Sequence, residues 1–145
     1  MAIRALQEQL YRYEGSLNKL GPDPRGVMAL AAFGLPPLSH EEDALRGVRA
    51  AHAIHRALVA QGRPCSVGVA TGKAFCGLIG TEERCEYTLI GDAVNLAARL
   101  AKAAVDRVLV DHKTVRACLG RARFQELPPI RVKGKRDPVA VYVPS

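Results

Sequence analysis

The segment "EYTLIGDAVNLAARL", residues 86–100, changes its hydrophobic period part-way along. Up to Gly91 it is a short apolar run bearing aromatic and β-branched residues, the pattern of a strand. From Asp92 onward the apolar positions recur at helical spacing. A strand that becomes a helix across one glycine ties sheet and helix together at close range, so an all-helical or all-strand fold is excluded. At about 100° per residue, Asp92, Asn95 and Arg99 fall within about 60° of one another, with Lys102 beside them. Val94, Ala97, Ala98 and Ala101 are expected on the opposite side, with Leu96 and Leu100 on a flank.

The rest of the chain keeps alternating in this way. "MAIRALQEQLYRYEG" reads as an amphipathic helix with Leu6, Leu10 and Tyr13 at i, i+4, i+7. "GSLNKL" and "VMALAAFG" read as a hairpin about the turn "GPDPRG", the second strand being buried. Ser39 and Glu42 make a capping box for a helix that turns Leu45, Val48, Ile54 and Leu58 inward and stops at Gly62. "CSVGVATG" and "KAFCGLIG" read as two strands around a tight Thr71-Gly72 turn, with "EYTLIG" as a third. "RVLVD" is a strand, "HKTVRACLG" a short helix, "RFQEL" a strand, and "IRVKG" with "VAVYVP" a closing pair. The order α-ββ-α-βββ-α-β-α-βββ predicts one α+β domain over residues 1–145. Its most economical form is a ferredoxin-like core, a mostly antiparallel sheet with helices packed on one face.

With 145 residues, 48% of them apolar, the chain can bury roughly two-thirds of its unfolded surface, and disorder is excluded as its general state. The 21 Lys and Arg against 14 Asp and Glu leave a net charge of +7, which favours anionic partners. Nucleic acid is not expected among them. "KAFCGLIG" loosely matches an RNA-recognition strand but lacks the further aromatics that stack bases. Cys65, Cys76, Cys85 and Cys118 form no C-x-x-C pair, and no secretory segment is evident, so reduced thiols in a cytoplasmic protein are expected. No apolar run reaches the roughly 20 residues that span a bilayer. His52 and His55 sit at i, i+3 but lack the further ligands a metal needs, so no metal site is expected there.

Three constellations carry possible chemistry. Arg99 offers a rigid fork of donors suited to a phosphate or a developing oxyanion, and Asn95, one turn earlier, can orient a hydroxyl. Spacing alone equally allows a solvated face on which Arg99 pairs with Asp92. Lys19 and Thr88 lie in apolar strands and can read the edge of a purine, or can simply be the wet side of ordinary alternation. Lys133, in "RVKGKRDP", suits a triphosphate or belongs to a charged turn.

Taken together, "CSVGVATGKAFCGLIG", "EYTLIGDAVNLAARL" with its G-D-x-V-N-x-A-x-R pattern, and "IRVKGKRDPVAVY" resemble the class III nucleotide cyclase homology domain. "YEGSLNKL", "AAFGLPPLSHEEDALRGVRAA" and "ELPPIRVKGK" bring the likeness closer to the second, C2-like half of soluble adenylyl cyclases. The resemblance covers essentially the whole chain. It implies two pseudo-symmetric halves packed head to tail, as a homo- or heterodimer, with the site in the cleft between them. On this chain it makes Asn95 and Arg99 the transition-state pair for converting ATP to cyclic AMP and pyrophosphate. It assigns Lys19 and Thr88 to adenine and Lys133 to the terminal phosphates.

The same resemblance marks two departures. The family's first metal aspartate lies on a strand that precedes the opening helix, so the chain is expected to be N-terminally incomplete. The second follows the glycine of a Gly-Asp pair, and here that pair is Gly26-Val27. Asp23, between prolines, is a poor substitute. Mg²⁺ or Mn²⁺ is therefore expected only from a metal-bearing partner half, and the chain alone is expected to be inactive. The competing expectation is a non-catalytic cyclase-homology module that binds nucleotide or a partner and regulates a larger signalling protein.

Overall fold

The computed structural model describes residues 2–23, 26–33, 43–72, 75–79, 86–90, 92–118, 120–132 and 136–144. Among these residues, four helices and eight strands follow in the order α1 (Ala2–Arg12), β1 (Ser16–Asp23), β2 (Gly26–Ala32), α2 (Asp43–Ala60), β3 (Val67–Val69), β4 (Phe75–Ile79), β5 (Glu86–Ile90), α3 (Asp92–Ala103), β6 (Val108–Asp111), α4 (His112–Ala117), β7 (Phe124–Ile130) and β8 (Val139–Pro144). This is the α+β arrangement the sequence predicts, with antiparallel pairs β1/β2, β4/β5, β6/β8 and β7/β8 and one parallel pair, β3/β6.

The heart of the molecule is the four-stranded sheet β3-β6-β8-β7. β6, "VLVD", is buried along its whole length, as expected of a central strand with a parallel neighbour. Its side chains divide between two clusters. Val108 and Val110 meet Leu45, Val48 and Ala51 of α2, whereas Leu109 meets Leu100 of α3 and Ala104 just beyond it. Because successive strand residues point to opposite faces, α2 and α3 cover opposite faces of this sheet. Expecting helices on one face alone misses this division.

Other local expectations change for long-range reasons. β3 and β4 are not a hairpin: β3 pairs with β6, and β4 pairs with β5. "IRVKG" is not a separate partner for the last strand. Ile130 ends β7, which pairs with β8 across an irregularity between Leu127 and Ile130. Pro128 and Pro129 occupy that irregularity on an edge strand, where their missing N–H groups cost no ladder bonds. In the first hairpin, Gly21, Pro22 and Asp23 belong to β1, so the chain reverses only after Asp23, opposite Gly26. β2 is not buried as predicted, since Met28 is 46% exposed. The capping box Ser39/Glu42 lies outside the described residues.

Two clasps set the helices. α1 ends where Glu14 takes a left-handed φ of 62° and the Gly15 N–H bonds to the Leu10 carbonyl at 2.8 Å. The Phe33 ring then packs against Gly15 and Gly47, joining α1, β2 and α2. Near the other end of α2, the His55 ring donates Nε2–H to the Asp106 carbonyl at 2.9 Å. Asp106, also left-handed at φ 52°, accepts from the Cys65 N–H through its carboxylate and donates its own N–H to Ser66 Oγ. One residue thus holds the entry to β3 against the exit from α3.

Candidate active site

α3 follows directly on β5, separated from it by Gly91. Asp92 in its first turn and Lys102 in its last complement the helix dipole. Leu100 is fully buried, and Leu96 and Ala103 pack beside it. Asp92, Asn95, Ala98 and Lys102 are exposed, and Arg99 is half-buried. The wet face predicted around Asn95 and Arg99 is therefore real. The predicted dry face is rotated: Ala98 joins the exposed side, while Leu100, expected on a flank, is the buried anchor. Alanines cannot draw a helix inward when leucines a third of a turn away bury more area.

The depth of α3 is set by Gly68, in the middle of β3. A Cβ there would lie 2.8 Å from the Leu100 Cβ and 2.5 Å from the Ala101 backbone nitrogen, and closer still to the Ala97 carbonyl oxygen. The helix backbone rests directly on the strand, which is possible only without a side chain. A Cβ on Gly72, just past β3, would similarly lie 3.1 Å from the Ala93 Cβ of the first helical turn. Sequence reasoning missed Gly68 as a positioning residue. The signal was a glycine inside a strand pattern, "SVGVA".

Beyond β3 a buried hydrogen-bonded chain fixes the same end of the sheet. Asp111 is 4% exposed and caps α4 by accepting from the Thr114 N–H at 3.1 Å. The Thr114 hydroxyl donates to the same carboxylate, so the Thr71 hydroxyl donates in turn to Thr114 Oγ1, at 2.8 Å. Every member has a partner, which makes the buried carboxylate tolerable.

The remaining predicted residues are placed by their backbone. Thr88 lies in β5 opposite Gly77, and Lys19 lies in β1 opposite Leu30, just after a register shift. β1 touches β5, and β5 touches α3 and leads into it, so the strand bearing Thr88 adjoins the helix bearing Asn95 and Arg99, and the strand bearing Lys19 reaches that helix only by way of β5. Lys133 lies outside the described residues. Val27 pairs with Pro22, and Asp23 is the last residue before the reversal. Among the described residues, no group of three or more His, Cys, Asp or Glu is placed to hold a metal ion.

The profile of the adenylate and guanylate cyclase catalytic domain matches residues 45–144, which include α3 and the sheet beneath it. The chain belongs to the class III adenylyl and guanylyl cyclase family. The cyclase domain is 34% identical over 137 residues to adenylate cyclase type 10 of Mus musculus, covering 90% of this chain and 8% of that relative. It is also 34% identical over 145 residues to an uncharacterized protein of Mycobacterium tuberculosis, covering 94% of this chain and 24% of that relative. The cyclase domain thus spans a minor part of the length of either. Among solved structures, it resembles the adenylyl cyclase CyaB from P. aeruginosa at 25% identity and a TM-score of 0.76, over 99% of this chain and 78% of that one. The guanylate cyclase domain of RhGC from Catenaria anguillulae, in complex with GTP, shares the fold with a TM-score of 0.81 at 20% identity, over 99% of this chain and 79% of that one. No helix among the described residues is long and apolar enough to cross a membrane.

Proposed function

We propose that this cyclase domain is the C2-like half of an adenylyl cyclase, supplying nucleotide and transition-state contacts for converting ATP to cyclic AMP and pyrophosphate. The observation that carries this is the presentation of Asn95 and Arg99 on one face of α3, at a depth set by Gly68. As the ribose 3′-hydroxyl oxygen bonds to the α-phosphorus, its proton passes to water, the bond from that phosphorus to the bridging oxygen breaks, and pyrophosphate departs with the electron pair. The Asn95 carboxamide orients the ribose for that attack. The Arg99 guanidinium offsets negative charge gathering on the α-phosphate. Lys19 and Thr88 read the adenine edge, and Lys133 meets the terminal phosphates.

Val27 stands where the family resemblance places a metal-binding aspartate, and its isopropyl group offers no oxygen to Mg²⁺ or Mn²⁺. The carboxylates that hold the metal have to come from a second half, packed head to tail. Val27 also favours a second reading, a nucleotide- or partner-binding module that performs no chemistry of its own.

A cyclase assay with ATP and Mg²⁺ or Mn²⁺ separates the two. The chain is assayed alone and mixed with the metal-bearing half of a soluble adenylyl cyclase. Cyclic AMP is expected only in the mixture and is lost with Asn95→Ala or Arg99→Ala. Nucleotide binding without product in either tube selects the regulatory module, and product from the chain alone removes the role given to Val27.

A further inference from the structure

On the face of the sheet away from α3, α1 and α2 form a half-open cavity of about 640 Å³ with the segment that leads into β7. Arg12 comes from α1, Arg49 and Arg56 from α2 at a spacing that puts both on one side of that helix, and Arg121 and Arg123 from the connecting segment. His52 adds a ring between the two α2 arginines. No carboxylate lines the cavity among the described residues. Among those residues, Arg12, Arg49, Arg56 and Arg123 also make no ion pair. Gln9 contributes a buried Oε1 with no hydrogen-bond partner among them, an acceptor still waiting for a donor.

We infer that this cavity is a binding site for a small phosphorylated molecule, separate from the Asn95/Arg99 site. Arg12, Arg49, Arg56 and Arg123, four guanidinium groups from three chain segments without an ion pair among the described residues, carry like charge around one recess, and a compact ligand carrying several negative charges offsets it. Phosphate groups concentrate charge in this way and match the guanidinium fork with two oxygens at once. The unpartnered Gln9 oxygen calls for a hydroxyl or amino group beside the phosphates. α2 and α3 cover opposite faces of the sheet, so a ligand here touches neither Asn95 nor Arg99. The site does not depend on whether the domain is catalytic.

Binding of inorganic tripolyphosphate, followed by calorimetry and by thermal shift, tests this. Sulfate at matched ionic strength and a short poly-glutamate peptide serve as comparisons. Tripolyphosphate is expected to raise the melting temperature, and Arg49→Gln and Arg56→Gln each to weaken its binding roughly tenfold. Both residues are exposed, so the variants are expected to fold, and Arg123→Gln is a third variant should either fail. Arg99→Ala is expected to leave this binding intact. The proposal is overturned if tripolyphosphate does not bind, or if binding ignores the cavity arginines and disappears with Arg99→Ala. Equal stabilisation by sulfate reduces the effect to ionic screening, and tighter binding of the peptide makes the cavity a seat for an acidic protein segment.

Discussion

α2 and α3 cover opposite faces of one sheet, yet they are held by different means. α2 buries Leu45, Val48, Ala50, Ala51 and Ile54, an apolar stripe spread over about three turns. α3 buries only Leu100 among its twelve residues, and rests its backbone on Gly68. A helix anchored by a stripe tolerates the loss of any one contact better than a helix seated on a point. A helix seated on a point, however, keeps most of its circumference for other work. The chemistry proposed for Asn95 and Arg99 needs a narrow anchor and a precise depth, and α3 has both.

The strongest way to break the comparison is Gly68→Ala. Its methyl meets α3 backbone that cannot rotate away, so a loss of about 3 kcal/mol or more is expected, at the upper end of overpacking costs. Gly21→Ala, where an added Cβ meets nothing within 4 Å, is expected to change stability by about 0.5 kcal/mol or less. Equal effects in urea unfolding would sink the claim that α3 lies directly on β3.

Next come the anchors themselves. Leu100→Ala and Leu45→Ala are each expected to cost about 2–5 kcal/mol. Only Leu100→Ala is expected to reduce activity of a completed site at temperatures where both variants remain folded. Should Leu45→Ala reduce it equally, the two faces are coupled and the contrast is lost.

Thr114→Val removes a hydroxyl between Asp111 and Thr71 and leaves a buried carboxylate short of one donor. A cost of about 1–3 kcal/mol is expected, larger than for Thr71→Val at the outer end of the chain. Arg99→Ala is expected to shift stability by less than about 0.5 kcal/mol. Activity of a completed site should nonetheless fall about 10²–10³-fold. Unfolding of this variant would make Arg99 a structural residue.

The smallest effect concerns pH. Burial pushes the Cys118 thiol up, with Arg49 pulling it back in part. A thiol held neutral in the fold but free to ionise when unfolded stabilises the fold below the ordinary thiol pKa. That contribution fades as pH rises above about 8.5. Cys118→Ala is expected to flatten the alkaline slope of stability, apart from the contribution of Cys65, whose thiol is also raised by burial and by Asp106.

Local pattern made much of this molecule legible. The switch of period at Gly91 marked the start of α3, the stripe Leu45, Val48 and Ile54 marked the inner side of α2, and the Asn95/Arg99 pair stood out because amides and guanidiniums are unusual fillers of a wet face. The pairing of β3 with β6 was not legible, because the two lie about forty residues apart and a strand's own pattern does not name its neighbour. The mistaken hairpin and the rotated dry face of α3 both follow from that. Without knowing which strand lies beneath α3, Val94 and the three alanines Ala97, Ala98 and Ala101 looked as able as Leu100 to face inward.

By itself, then, the sequence determined element type, order and family, and it singled out the pair proposed to react, because periodicity and side-chain chemistry are local properties. The tertiary structure decided that Gly68 sets the depth of that pair, that the sheet is covered on both faces, and that five arginines remote in sequence share one cavity. Those are contacts between distant segments, and such contacts exist only once the chain has closed on itself.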